Sequence, residues 1–77
     1  MGQVCQNLVG ERVKEARNKA RLTQAALSEK LAKLGVSIDR AGIAKIETGI
    51  RGVLDFELVA LSKVLDCKVA WLLGVKE

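Results

Sequence analysis

Three observations predict an all-α domain. None of the 77 residues is proline, and 49% are hydrophobic with Phe56 and Trp71 the only aromatics, so the core must be aliphatic. Ala, Leu, Lys, Glu and Arg dominate, which favours helices over a β-sandwich. Between Thr23 and Gly49, two segments with helical apolar spacing meet across a tight, glycine-marked connection.

The elements follow in order. Residues 1–6 lack a pattern and read as a loose tail, ahead of a single domain over residues 7–77. Asn7 can cap a first helix reaching about Ala20, with Val9, Val13, Ala16 and Ala20 as its apolar stripe. Its other faces carry Glu11, Arg12, Lys14, Glu15, Arg17 and Lys19, with Glu15 and Lys19 in the favourable i, i+4 order. Thr23 is placed to cap a second helix to about Leu34, whose stripe is Leu27, Leu31 and Leu34 and whose stop is Gly35. Ser28, Glu29, Lys30 and Lys33 lie on its wet sides.

A third helix spans 39–48, with Asp39 as N-cap and Ile38 and Ile43 spaced for a hydrophobic staple. Ile43, Ile46 and the stem of Glu47 share its inner face, and Gly49 closes it. Ala41, Ala44, Lys45 and Thr48 then point outward, with Arg40 at the leading end. This face is short and small-sided, so it can approach another surface closely. Gly42 is a poor helix former at that place. A fourth helix begins near Asp55, where Asp55 and Glu57 suit the positive end of the helix dipole, and it carries Phe56, Leu58, Leu61, Val64 and Leu65. Residues 66–68 turn into a short last helix, Val69 to Leu73, before Gly74.

The composition bounds the function. The longest apolar run is far short of the ~20 residues that cross a bilayer. MGQVCQ has neither a secretory signal pattern nor the hydroxyl at position 6 of a lipidation start. Histidine and tyrosine are absent, Ser28, Ser37 and Ser62 have no candidate base beside them, and no glycine-rich phosphate loop occurs, so catalysis is not expected. Cys5 and Cys67 lack metal-site spacing, which predicts free thiols, no metal and no cofactor. Net charge is +4 and unevenly placed: residues 1–51 hold ten Lys/Arg against five Asp/Glu, and residues 52–77 three against four. The basic excess therefore falls on the half that contains the paired helices, as expected for a phosphate-facing surface.

TQ at 23–24, the apolar Leu27 and IxKIExG at 43–49 resemble the helix-turn-helix of the phage-repressor/Cro (Xre) family. GERVKEARNKARLTQ and ELVALSKVLDCKVAWLLG are similar to that family's first and last two helices, so the resemblance covers about residues 9 to 74. It departs from the family in a longer connection between Leu31 and Ile43, and in Ala26, which stands where an acidic residue is common. The resemblance implies a five-helix, lambda-repressor-like fold. It also implies a sequence-specific regulator of transcription, a repressor, whose helix 39–48 enters the major groove. Arg40, Ala41, Ala44 and Lys45 would face bases. Arg21, Thr23, Gln24 and Arg51 would serve the phosphates. Arg17 would pair with Glu47, the partner that a carboxylate on the core side of its helix needs.

The partner expected is double-stranded DNA at an inverted repeat, bound by a homodimer formed in solution or on the DNA, since one such domain reads too few bases. No small-molecule ligand and no membrane contact are expected, and the compartment expected is the cytoplasm. Trp71 suits either the core edge or a dimer interface; placing it at the core leaves Leu72, Leu73 and Val75 for a partner. The rival class is a protein-interaction module, an antitoxin or adaptor, packing a helix on the Ala41/Gly42/Ala44 face.

Overall fold

The computed structural model describes the backbone of residues 2–75 and the side chains of residues 8–75. Five helices follow one another: α1 (Gly2–Lys19), α2 (Gln24–Lys33), α3 (Arg40–Glu47), α4 (Asp55–Leu65) and α5 (Val69–Leu73). Helix α1 lies against α3, α4 and α5, while α2 packs on α3 and α4. Val9 and Val13 of α1, Leu27 and Leu31 of α2, Ile43 and Ile46 of α3, Leu61 and Leu65 of α4, and Leu72 of α5 meet in one aliphatic core.

Local chemistry sets the helix ends. The Thr23 hydroxyl accepts the Ala26 N–H at 3.0 Å, and the Asp39 carboxylate accepts that of Gly42 at 2.7 Å. At the far end of α2, Gly35 takes φ +81°, a left-handed angle that glycine adopts without a Cβ penalty. The Gly35 N–H then reaches the Ala32 carbonyl at 2.9 Å, and the Val36 N–H that of Leu31 at 3.0 Å. This pair of bonds folds the chain back so that Val36 and Ile38 enter the core beside Leu31. Ser28 holds the connection by donating to the Ile38 carbonyl at 2.6 Å.

The structure corrects the sequence reading at four places. Helix α1 begins at Gly2, so residues 2–6 are helical rather than a loose tail and Asn7 is an interior residue, not the cap. Asn is only a mildly poor helix former, and nothing in residues 2–8 forces a stop. Leu34 and Ala20 are exposed; both follow the last regular turn of their helix, and Val36 and Ile38 fill the place expected for Leu34. Phe56 is exposed because the buried stripe of α4 is Glu57, Ala60, Leu61 and Leu65, a spacing that leaves position 56 outside. Leu72 has no exposed surface, so it completes the monomer core and offers nothing to a second copy.

Candidate nucleic-acid interface

Helix α3 has eight residues, too short to persist alone in water, so its neighbours must hold it. Ile43 and Ile46, each about 1% exposed, anchor one side in the core. Gly42 earns its place there: a Cβ on it would lie 3.0 Å from the Asp39 Oδ1 and 3.0 Å from the Ile38 Cγ2, crowding the cap and the staple together. With the inner side fixed, Arg40, Ala41, Lys45 and Thr48 stand exposed and Ala44 is half-buried between them. The face expected to read bases is therefore presented as a continuous strip with small residues at its centre.

A buried ion pair holds the C-terminal end of α3. Arg17 donates from Nε to Glu47 Oε2 at 2.6 Å and from Nη2 to Oε1 at 3.2 Å, and its Nη1 donates to the Leu22 carbonyl at 2.7 Å. The Gln24 amide adds a third donor to Glu47, at 3.2 Å. The Arg17 and Glu47 side chains are 12% and 3% exposed, so the pair lies out of water and both charges are saturated. One carboxylate thus joins α1, the first residue of α2 and the last of α3.

The candidate phosphate residues separate into different situations. Arg21 is exposed and sits at φ +59°, left-handed backbone that costs a non-glycine residue about 1–2 kcal/mol. Thr23 is exposed and occupied as the cap of α2. Gln24 has its amide nitrogen on Glu47. Arg51 differs most from expectation: Nη1 and Nη2 donate to the two Glu57 oxygens at 3.0 and 2.9 Å, and Nη1 also to the Gly52 carbonyl at 2.9 Å. It is an anchor of the α3–α4 loop rather than a free surface cation.

Glu57 in turn accepts the Leu54 N–H at 3.0 Å, closing the first turn of α4. The Arg51 hydrogen bonds hold the Glu57 carboxyl below the usual carboxylate range; burial opposes this, and the Leu54 N–H and the Arg51 charge reinforce it. The Arg51 guanidinium is correspondingly raised, chiefly by the hydrogen bond to Glu57. Burial first, and the Asp66 charge second, push the Cys67 thiol up, so this free cysteine stays protonated. The Cys5 side chain lies outside the described residues. Among the described residues no group of three or more His, Cys, Asp or Glu could hold a metal ion, and no helix is long and apolar enough to cross a membrane.

Sequence reasoning missed two contacts here. The Arg51–Glu57 pair spans a loop, and its six-residue spacing matches no helical face. Arg12 lies 4.7 Å from the centroid of the Trp71 ring and donates to the Trp71 carbonyl at 2.9 Å, a clasp between α1 and α5 across 59 residues of chain. The clasp places Trp71, half-buried, against the core edge.

The helix-turn-helix family matches residues 13–72, most of the chain, and the protein belongs to it. Among solved structures, the fold is similar to that of the P22 c2 repressor in complex with synthetic operator 9T in the presence of Tl+. The two share 34% identity at a TM-score of 0.74, over 88% of this chain and 96% of the other. A comparison with curated proteins found no match. The helix-turn-helix of this chain thus has a phage-repressor-type fold.

Proposed function

We infer that this protein is a sequence-specific DNA-binding regulator of transcription that represses by laying α3 in the major groove. The observation that carries this is the face of α3: a capped, core-anchored helix showing Arg40, Ala41 and Lys45 around the half-buried Ala44, within a fold shared with an operator-bound repressor. Arg40 and Lys45 suit acceptors on guanine, and the Ala41 and Ala44 methyls suit thymine methyls. At the start of α2, backbone N–H groups beside Thr23 and Gln24 receive a phosphate, with Arg21 next to them. The strain at Arg21 supports this, since glycine would meet the backbone demand more cheaply but would bring no charge to a phosphate. Arg51 acts on DNA indirectly, by fixing the loop that follows α3.

The site bound is an inverted repeat read by two copies, with the chain acting as one domain in the cytoplasm, without cofactor or inducer. The domain measures 31 × 25 × 21 Å, so two copies on half-sites ~34 Å apart stand nearly side by side. Leu73 and Val75, both exposed, and the edge of Trp71 remain for the contact between them. Selection of bound sites from random duplexes, followed by titration of Arg40→Ala and Lys45→Ala on the selected site, tests the reading. Each substitution should weaken specific binding by about 1–3 kcal/mol with helicity unchanged. If both variants bind every site as the parent does, α3 is not the reading helix.

A further inference from the structure

On the flank formed by α2 and α4, away from the reading face of α3, two clefts of about 310 and 300 Å³ adjoin by sharing Leu34 and Lys63. Their floor is apolar: Val36, Ala60 and Val64 at the bottom, with Leu34, Phe56 and Val59 standing 50%, 57% and 45% exposed. Exposed large side chains of this kind, gathered in one place, mark an interaction surface rather than scattered surface residues. The rim is cationic. Lys30 and Lys33 come from α2 and Lys63 from α4, all exposed, and no carboxylate lines either cleft. None of the three ammonium groups has an ion-pair partner among the described residues.

We propose that this groove docks an acidic amphipathic segment of a partner protein, apolar on one face and carboxylate-bearing at its edges. The floor takes the apolar side chains, and the three lysines select carboxylates and repel basic segments. A second copy is a poor occupant: a two-fold contact places the same patch on both sides, bringing lysines against lysines with no carboxylate between. DNA is a poor occupant as well, because a phosphate backbone gains nothing from burying Leu34, Phe56 and Val59. The partner would thus ride on the regulator while α3 holds the DNA.

The probe is a synthetic helical peptide with leucines at i, i+3, i+4 and i+7 flanked by glutamates, titrated into the isotopically labelled full chain and read by amide chemical shifts. Two controls carry lysine for every glutamate, or serine for every leucine. The expected result is a set of shifts confined to the groove, at Leu34, Val59 and Lys63, with affinity at least ~10-fold above either control and falling with salt. Lys33→Glu and Lys63→Glu, both exposed and without partners to lose, should each weaken binding about fivefold with the shift spectrum otherwise unchanged. The proposal is overturned by silence at the groove with about 1 mM peptide. Equal binding of the lysine control also overturns it. So do shifts that map to Arg40 and Ala41 and are competed by duplex DNA, since the peptide then only mimics phosphate, and so do groove shifts that grow with protein concentration alone.

Discussion

Removing Arg17 should damage this protein more than removing its partner, and removing both should do less harm than either. The Glu47 carboxylate is 3% exposed and accepts from Arg17 twice and from Gln24 once. Arg17→Ala leaves that carboxylate with a single neutral donor in a dry site, a loss of about 3–5 kcal/mol. Glu47→Ala leaves a guanidinium that is 12% exposed and keeps the Leu22 carbonyl at 2.7 Å, so about 2–3 kcal/mol is expected. A domain this size is stable by only about 4–12 kcal/mol, so either loss is large. Arg17→Met with Glu47→Leu removes both charges and refills the volume, and should fall within about 1 kcal/mol of the parent. Urea unfolding followed by helicity on the parent, Arg17→Ala, Glu47→Ala and the double alanine variant closes the cycle, with the Met/Leu double measured beside them. Single losses below about 1 kcal/mol that simply add would show that the pair is not dry and does not fasten α3.

Glu57 predicts a pH response. Its folded carboxyl is held below its ordinary value, so its contribution is complete above the unfolded glutamate pKa, about 4.3, and is lost as pH falls through the lower folded value. Unfolding free energy measured from pH 7 down to 2 should therefore drop less steeply in Glu57→Gln than in the parent; identical slopes would refute the pairing. Gly10→Ala places a methyl on the Ile46 carbonyl oxygen and 3.1 Å from that of Glu47, both rigid backbone, which should cost about 1–3 kcal/mol. It should also weaken operator binding beyond the loss in folded fraction, unlike a Val13→Ala control titrated beside it. Arg21→Gly trades relief of left-handed strain, about 1–2 kcal/mol, against about 0.5–1 kcal/mol of added chain entropy, so the fold should be no weaker. Its DNA affinity should nonetheless fall and the salt slope flatten by about one, and a variant that binds as well as the parent would remove Arg21 from the phosphate contacts.

What could be read from the sequence was whatever a helix writes at its own period and ends. Thr23 and Asp39 announced their caps, Ile43 and Ile46 their face, and the resemblance supplied Arg17 with Glu47. The errors gather where the chain leaves that period. Leu34 keeps the spacing of Leu27 and Leu31, but the turn at Gly35 ends the helix and brings in Val36 and Ile38, which a helical wheel drawn through Leu34 cannot foresee. Leu72 sits next to the half-buried Trp71 and the exposed Leu73, and in a five-residue helix one turn is too little to show which side faces in. Arg51 with Glu57 and Arg12 with Trp71 are fixed by tertiary approach, and no local spacing encodes them. Gly10 carries no signal in the sequence, and only the packed structure shows that its missing side chain lets α1 lie on the backbone of α3.

The constraints on α3 are distributed unequally, and the inequality bears on how it can read DNA. Its C-terminal end meets Glu47 bound by α1 and α2, the backbone of Gly10 pressed against the Ile46 and Glu47 carbonyls, and Arg51 clamping the following loop to α4. Its N-terminal end has a single cap, Asp39, and the Ile38 and Ile43 side chains beneath. A helix held this way projects its first turn from a fixed base. Arg40 and Ala41 keep open approaches, while the axis that aims them is set by groups on other helices. Because eight residues do not hold a helix by themselves, that aim belongs to the packed domain and exists before any DNA arrives. The ordering entropy that a helix folded on contact would lose at binding has then already been met by folding. Substitutions at Arg17, Glu47 and Gly10 should therefore act on recognition through the angle of α3, although none of the three belongs to its exposed face.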